Sequence, residues 1–169
     1  QINDKTELED FIINEWQKVN EYINSKSQNL PIPIYSSVDI RESKTKYAPV
    51  DHNMYPAGFN NVCKVDLKYC GQAFKAAFSK ISSEAKHIGI IPESHTKNLY
   101  YLDHLHALKS TLENAGFKTS LVSFDQELFG ENKSLELNSF SNHALTIYLG
   151  KVQNQQLQVE LTGEKLDIA

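Results

Sequence analysis

The feature that most constrains the fold is a short apolar run, His87–Ile91, which ends at Pro92. A continuous apolar run of this length is typical of a strand buried on both faces of a mainly parallel sheet. Apolar residues recur at helical spacing on either side of it, over Leu67–Ile81 and over Tyr101–Leu112. A further strand is predicted over Phe117–Phe124. These segments indicate strands and helices that alternate along the chain.

The segments on either side extend this pattern. An amphipathic helix is predicted from Leu8, and alternating residues over Ile32–Ile40 predict a strand after it. The order strand, helix, strand, helix, strand favours right-handed crossovers. After Gly130, short alternating segments predict a C-terminal β-hairpin or meander. We therefore expect one α/β domain over residues 1–169, with a mainly parallel sheet and helices on both faces.

Composition excludes several classes of protein. The formal net charge is −4 without a long run of either sign, which does not favour a nucleic-acid or membrane partner. No apolar stretch approaches the roughly 20 residues that cross a bilayer, and no signal peptide is recognisable. Cys63 and Cys70 do not have the spacing of a zinc or redox motif, which predicts two buried thiols in a reducing compartment. We expect a soluble, cytoplasmic protein.

Polar side chains are concentrated in two segments, Asp39–Asn53 and Pro92–Asn98, and each follows a predicted strand. Residues 41–61, which include most of the first segment, are irregular in pattern and predict a long ordered loop. In open α/β sheets, ligands bind outside the carboxyl ends of the strands. We therefore expect both segments to project from neighbouring strands into one site.

The residue types in these segments suit an amino-acid substrate. Arg41 offers a planar fork that matches a carboxylate, and Lys46 offers a point charge. A substrate amino group needs an acceptor, which Asp39, Asp51 or Glu93 could supply. Amide donors and acceptors come from the asparagines, Asn53, Asn60 and Asn61. The alternative is structural, because Asp and Asn beside Pro and Gly are common turn formers and loop cations are commonly solvated.

Other signatures of chemistry are weak or missing. Thr96 could cap the next helix, or that helix start could receive an anion; capping is the favoured interpretation. His104 and His106 do not have the four-residue spacing of a helical metal pair. The seven glycines are scattered, without a phosphate loop or a Gly-x-Ser-x-Gly motif. A self-contained nucleotide enzyme or hydrolase is not expected.

The two segments resemble the proteobacterial type of glutamate–cysteine ligase (γ-glutamylcysteine synthetase). The resemblance is carried by Val38-Asp-Ile-Arg41, by Lys46-Tyr-Ala-Pro-Val-Asp51-His-Asn53-Met-Tyr-Pro-Ala-Gly-Phe-Asn60-Asn61, and by Ile91-Pro-Glu93-Ser-His95-Thr96-Lys-Asn98. It covers about residues 38–101, with looser similarity up to Phe124. The long central run is the specific part, and residues after Gly130 carry no recognised motif.

The resemblance implies an N-terminal portion with a pre-ATP-grasp or Rossmann-like fold, in a longer ligase. It implies that ATP, with Mg2+, phosphorylates the γ-carboxylate of glutamate, and that the amine of cysteine attacks the acyl phosphate. The nucleotide site would then lie mostly in the remainder of the same polypeptide, and the isolated chain would be inactive. Catalysis of this kind rests on positioning and charge stabilisation.

Residue roles follow from this chemistry as hypotheses. Arg41 and Lys46 are the candidate catalytic residues, facing carboxylate or phosphoryl oxygens. The metal ligands stay unassigned. The candidate substrate-binding residues are Asp39, Asp51, Asn53, Asn60, Asn61, Glu93, His95, Thr96 and Asn98. Two other classes stay open: a non-catalytic amino-acid or small-molecule binding domain that uses the same crevice, and a structural or interaction module.

Overall fold

The computed structural model describes residues 2, 4–44, 46–93 and 97–169. The chain forms two units, Gln1–Pro56 and Ala57–Ala169. The single domain expected over residues 1–169 stays a prediction. Within the described residues, no helix is long and apolar enough to cross a membrane.

The first unit contains two helices and a hairpin. Helix α1 spans Lys5–Asn14 and begins at Asp4, whose side chain accepts a 2.9 Å hydrogen bond from the Glu7 backbone N–H. Helix α2 spans Trp16–Ser27. The helix predicted from Leu8 is therefore confirmed as two shorter helices, because the backbone departs from helical geometry at Glu15.

Strands β1 (Ser36–Glu42) and β2 (Tyr47–Met54) form an antiparallel two-stranded sheet. The prediction of an irregular loop over residues 41–61 is therefore wrong, because half of that segment is strand. The prediction that the first strand joins the parallel sheet is also wrong, since β1 pairs only with β2 among the described residues. The period-two pattern of β2 is hidden because one extra residue interrupts its pairing with β1.

The second unit carries the mixed sheet. Strands β3, β4 and β6 are parallel neighbours, and β5 and β7 pair antiparallel with β6. The α/β class, the mainly parallel sheet and the C-terminal hairpin are confirmed. After a 3-10 turn over Phe59–Asn61, the elements in order are α3 (Lys64–Ile81), β3 (His87–Ile90), α4 (Leu99–Asn114), β4 (Lys118–Ser123), α5 (Gln126–Phe129), β5 (Ser134–Asn138), β6 (Ala144–Gln153) and β7 (Gln156–Val159).

Helix α4 is the centre of this unit. Its Leu102 and Leu105 are fully buried with Leu121 of β4 and Ile147 of β6. The helix stops before Gly116, where φ is +95° and a glycine is favoured. Burying this apolar surface stabilises the fold by about 1.5–3 kcal/mol for each large side chain. The buried helix therefore offers a rigid support for the polar groups at its first turns.

One expectation for α3 and its N-cap is corrected, the burial of Cys63 and Cys70. The residue at its N-cap is Cys63, and Asp66 lies inside the first turn, where it accepts a 3.0 Å hydrogen bond from the Cys63 thiol. The prediction of two buried thiols is wrong, because Cys63 is exposed and Cys70 is half-buried.

The last described residues lie beside β3. The Asp167 carboxylate accepts hydrogen bonds from the backbone N–H groups of Lys86 and His87, at 2.8 and 2.9 Å. The Gly89 N–H donates to the Ile168 carbonyl at 2.7 Å, in a parallel bridge. The second edge of β3 is therefore paired, which leaves the sheet continuous on both sides of this strand.

Candidate functional site

The β1–β2 hairpin gathers four of the predicted site residues on one face. Its register places Asp39 opposite Asp51, and Arg41 opposite Ala48. Asn53 lies opposite Ser37, two residues along from the aspartate pair. Because side chains alternate along a strand, Asp39, Arg41, Asp51 and Asn53 share a face. All four are exposed within this unit.

A β-bulge creates this shared face. Ile40 pairs with Pro49 and Asp39 pairs with Asp51, so Val50 is the additional residue. Without that residue, Asp51 would point to the side opposite Arg41, since the side-chain period of a strand is two. Bulges commonly redirect side chains near functional sites. The bulge therefore places Asp51 on the same face of the hairpin as Arg41.

The two carboxylates of this face lie side by side. Asp39 and Asp51 are direct cross-strand partners, and like charges in such positions repel each other. The amide of Asn53 donates to the Asp51 carboxylate at 2.9 Å and fixes its orientation. An ammonium group between them would relieve the repulsion and could donate hydrogen bonds to both carboxylates. The Arg41 guanidinium offers the opposite charge on the same face.

Lys46 belongs to the turn of this hairpin and not to a strand. The Ser43 N–H donates to the Lys46 carbonyl at 2.9 Å, and the Lys46 N–H donates to the Ser43 hydroxyl at 3.1 Å. Thr45 lies outside the described residues. Lys46 is therefore held at the tip by its backbone, while its side chain is exposed.

In the second unit, His104 holds the turn that carries Asn60 and Asn61. The backbone N–H groups of Gly58 and Phe59 both donate to Nδ1 of His104, each at 3.1 Å. Gly58 adopts φ +117°, which favours glycine. The turn closes with a 2.8 Å bond from the Asn61 N–H to the Gly58 carbonyl. Both asparagine side chains are left exposed at the surface.

Tyr101 connects the Glu93 segment to the same support. The Glu93 N–H donates to the Tyr101 hydroxyl at 2.8 Å, and the Tyr101 and His104 rings lie 5.5 Å apart. Asn98 is the N-cap of α4, where its side chain accepts from the N–H groups of Tyr100 and Tyr101 at 3.1 and 3.4 Å. The first two turns of α4 therefore position both the asparagine turn and Glu93.

The structural and family comparisons agree on one relationship. The family model described as glutamate-cysteine ligase matches residues 9–167. The chain belongs to the glutamate-cysteine ligase family. It is also similar, with 30% identity and a TM-score of 0.82 over 95% of its length, to a crystal structure from Methylobacillus flagellatus KT assigned the name gamma-glutamylcysteine synthetase. The chain spans 37% of that protein's chain. No curated protein matches this ligase-family chain.

The predicted site residues of this glutamate-cysteine ligase family member fall into two sets. Asp39, Arg41, Asp51 and Asn53 meet on the hairpin face, with Lys46 at its tip. Asn60, Asn61, Glu93 and Asn98 are attached to the first turns of α4 through backbone and cap hydrogen bonds. His95 and Thr96 lie outside the described residues. The expectation that both segments leave neighbouring strands is wrong, because β1 and β3 belong to different sheets.

His104 and Tyr101 are the residues that sequence reasoning missed. His104 was considered only as a metal ligand, although it stands among the buried leucines of α4 and is 4% exposed. A histidine within an apolar helix face was the available signal, since a buried polar group needs partners. Its partners lie 45 and 46 residues away in sequence, so the pattern alone could not identify them.

Metal ligands stay unassigned in this ligase-family chain. Within residues 2, 4–44, 46–93 and 97–169, no group of three or more His, Cys, Asp or Glu side chains could hold a metal ion. Asp39 and Asp51 supply two carboxylates, and Mg2+ is commonly held by one or two carboxylates together with substrate phosphates. These oxygen donors fit a magnesium ion only with a phosphorylated ligand present.

The free energy of unfolding is expected to decrease as the pH falls through the range just below 6.5. Burial lowers the pKa of His104, and burial also lowers the pKa of His87. The unfolded chain then binds more protons than the folded chain between the lowered values and about 6.5, so acid favours unfolding. Urea unfolding at a series of pH values from about 7.5 to 5 measures this slope. His104→Asn should give a shallower slope, and an unchanged slope would contradict the assignment.

Proposed function

We propose that this chain supplies the N-terminal, substrate-side part of an enzyme that ligates the γ-carboxyl group of L-glutamate to L-cysteine with ATP. This reaction is the first step of glutathione biosynthesis. The observation that carries the proposal is the hairpin face, where the bulge at Val50 places Asp51 and Asn53 beside Asp39 and Arg41. Family membership supports the reaction class, and the face supplies groups that fit an amino acid.

An α-amino acid carries both charges, and the hairpin face offers a partner for each. Asp39 and Asp51 would bind the ammonium group, because their opposed carboxylates need a cation between them. Arg41 would bind a carboxylate through two parallel hydrogen bonds. Asn53 would keep Asp51 oriented through its 2.9 Å hydrogen bond. Binding the ammonium group through the aspartates and the γ-carboxylate through Arg41 would hold both ends of glutamate and orient the group at which the reaction takes place.

The cofactors we propose are ATP and Mg2+, held mostly by the remainder of the polypeptide. ATP would supply the phosphoryl group that converts a carboxylate into a reactive acyl phosphate. Arg41 and Lys46 are the proposed catalytic residues of this chain. Both are exposed, and their positive charges would pair with carboxylate or phosphoryl oxygens. Their role is to hold those oxygens and to stabilise the charge that develops on them.

For the second unit we propose a substrate-binding role for Asn60, Asn61, Glu93 and Asn98. Asn60 and Asn61 stand on the turn anchored by His104, and Glu93 stands on the segment anchored by Tyr101. Asn98 already uses its side-chain oxygen as a helix cap, which leaves its amide group free to donate to a ligand. We propose the same substrate-binding role for His95 and Thr96.

The proposed partners are glutamate, cysteine, ATP and the remainder of the same polypeptide, in a cytoplasmic enzyme.

The exposed surface of the first unit supports a further segment of polypeptide as partner. Within residues 2, 4–44 and 46–56, no side chain is buried. Ile13, Trp16 and Ile32 are 58–71% exposed, which is a large apolar surface for a small unit. The matched family member is longer than this chain, since 37% of its length is covered. Further polypeptide packed on the first unit would bury this surface.

The test is an assay of ADP release with ATP, magnesium, glutamate and cysteine, in a full-length ligase that contains this chain and in the chain alone. We expect release by the full-length protein only when both amino acids are present, and none by the isolated chain. The matched control replaces cysteine with serine to examine the requirement for the second substrate. A full-length protein that is silent under all conditions, but binds glutamate, would support the non-catalytic binding domain instead.

A further inference from the structure

A groove runs between α3 and α4, away from the candidate site. Its volume is about 680 Å³, within the range of small-molecule and short-peptide sites. It lies along the later turns of α4, from His106 to Ala115, beyond the residues that support Asn60 and Glu93. The proposed ligase function uses none of the side chains that line it. We call it the interhelical groove.

The floor of this groove is made of small residues. Gly71 of α3 faces Ala115 and Thr111 of α4, and a Cβ atom at position 71 would lie 3.3 Å from the Ala115 Cβ and 3.5 Å from the Thr111 carbonyl oxygen. The helices therefore approach closely at Gly71. Ala107 also lines the groove, so Gly71, Ala107 and Ala115 contribute little side-chain bulk to its floor. Such a floor suits an extended main chain.

The α3 wall carries three lysines. Lys64, Lys68 and Lys75 line the groove at spacings of four and seven residues, so they share one face of the helix. Among the residues that the structure describes, no aspartate or glutamate lines the groove, although the chain has a net charge of −4. The opposite wall carries His106, Ser110 and Asn114 at intervals of four residues. These groups can donate hydrogen bonds to a bound oxygen.

The groove lysines differ from other lysines of the same unit. Lys109, Lys118 and Lys133 each pair with a glutamate. In the part of the chain that the structure describes, Lys64, Lys68 and Lys75 form no ion pair. Clustered positive charge beside a low-dielectric floor concentrates anions. The unmatched charge indicates an anionic ligand.

The spacing of the lysines gives the length of that ligand. At a rise of 1.5 Å per residue, Lys64 and Lys75 are separated by about 16 Å along the helix axis. An extended peptide of five residues spans about 17 Å. We propose that the interhelical groove binds an extended acidic peptide of about five residues, whose carboxylates pair with Lys64, Lys68 and Lys75.

The experiment measures binding of a fluorescein-labelled pentaglutamate peptide to the 169-residue chain by fluorescence anisotropy, at about 0.15 M salt where weak surface attraction is screened. Labelled pentaglutamine is the uncharged control peptide. We expect saturable binding of pentaglutamate and none of pentaglutamine. Equal binding of the two peptides, or no binding of pentaglutamate, would overturn the proposal.

Two kinds of variant locate the binding. The double variant Lys68→Glu/Lys75→Glu should weaken binding about tenfold or more, because two attractive pairs become repulsive. The matched control, Lys80→Glu/Lys86→Glu, changes the net charge equally outside the groove and should stay within about twofold. Ser110→Trp fills the groove and keeps every lysine, and it should abolish binding; if it lowers the urea midpoint, Asn114→Trp replaces it. Equal weakening by both double variants, or full binding by the folded tryptophan variant, would refute a groove site.

Discussion

Replacing Arg41 with alanine in a full-length ligase that contains this chain is expected to lower kcat/KM by about a hundredfold or more. The free energy of unfolding should change by less than about 0.5 kcal/mol. Arg41 is exposed on the hairpin and forms no ion pair in the described residues, so the fold loses little with its side chain. A group that holds reacting oxygens stabilises the transition state, and that contribution is lost.

Two companion variants make the result specific. Arg41→Lys keeps the charge and removes the planar fork, so an intermediate loss is expected if two parallel hydrogen bonds are used. Lys44→Ala removes an exposed charge from the turn of the same hairpin, and its kinetics should match the wild type. The measurement is steady-state ADP release with glutamate varied, together with urea unfolding. Wild-type kinetics for Arg41→Ala would exclude the assigned role.

The parts of the fold that sequence predicted are those whose apolar residues keep one period. His87–Ile90 is buried along its whole length, and α4 places its leucines at helical spacing, so both were recognisable. The hairpin was not recognisable beyond β1, because Pro49 and the bulge at Val50 break the alternation of β2. The same bulge creates the polar face. The feature that concealed the strand is therefore the one that arranges the candidate site.

In the candidate site, the functional side chains were predictable from sequence and the residues that support them were not. Chemistry and motif identified the segments that hold Arg41, Asp51, Asn60 and Glu93, since these side chains are exposed and bear the functional groups themselves. The supports were not predictable, because a support acts through contacts between residues distant in sequence. His104 accepts a hydrogen bond from the N–H of Gly58, which lies 46 residues earlier in the sequence. A helical histidine in an apolar pattern has many possible partners, and only the folded chain selects one.

His104 is therefore expected to have the largest effect on stability among the residues near the site. His104→Leu keeps an apolar side chain of similar size and leaves the N–H groups of Gly58 and Phe59 without their acceptor. A buried donor that loses its partner costs about 1–3 kcal/mol, so a loss of about 2–6 kcal/mol in the free energy of unfolding is expected for the pair. Urea unfolding followed by circular dichroism measures this loss.

Tyr101→Phe is the matched comparison, because it removes only the hydroxyl that accepts from the exposed Glu93 N–H. That N–H can donate to water instead, so the free energy of unfolding is expected to fall by a smaller amount, about 0.5–1.5 kcal/mol. In the full-length ligase, His104→Leu should also raise the KM for an amino-acid substrate if the turn presents Asn60 and Asn61. A His104→Leu variant as stable as the wild type would show that the two N–H groups find other acceptors, and His104 would then not be the support of this turn.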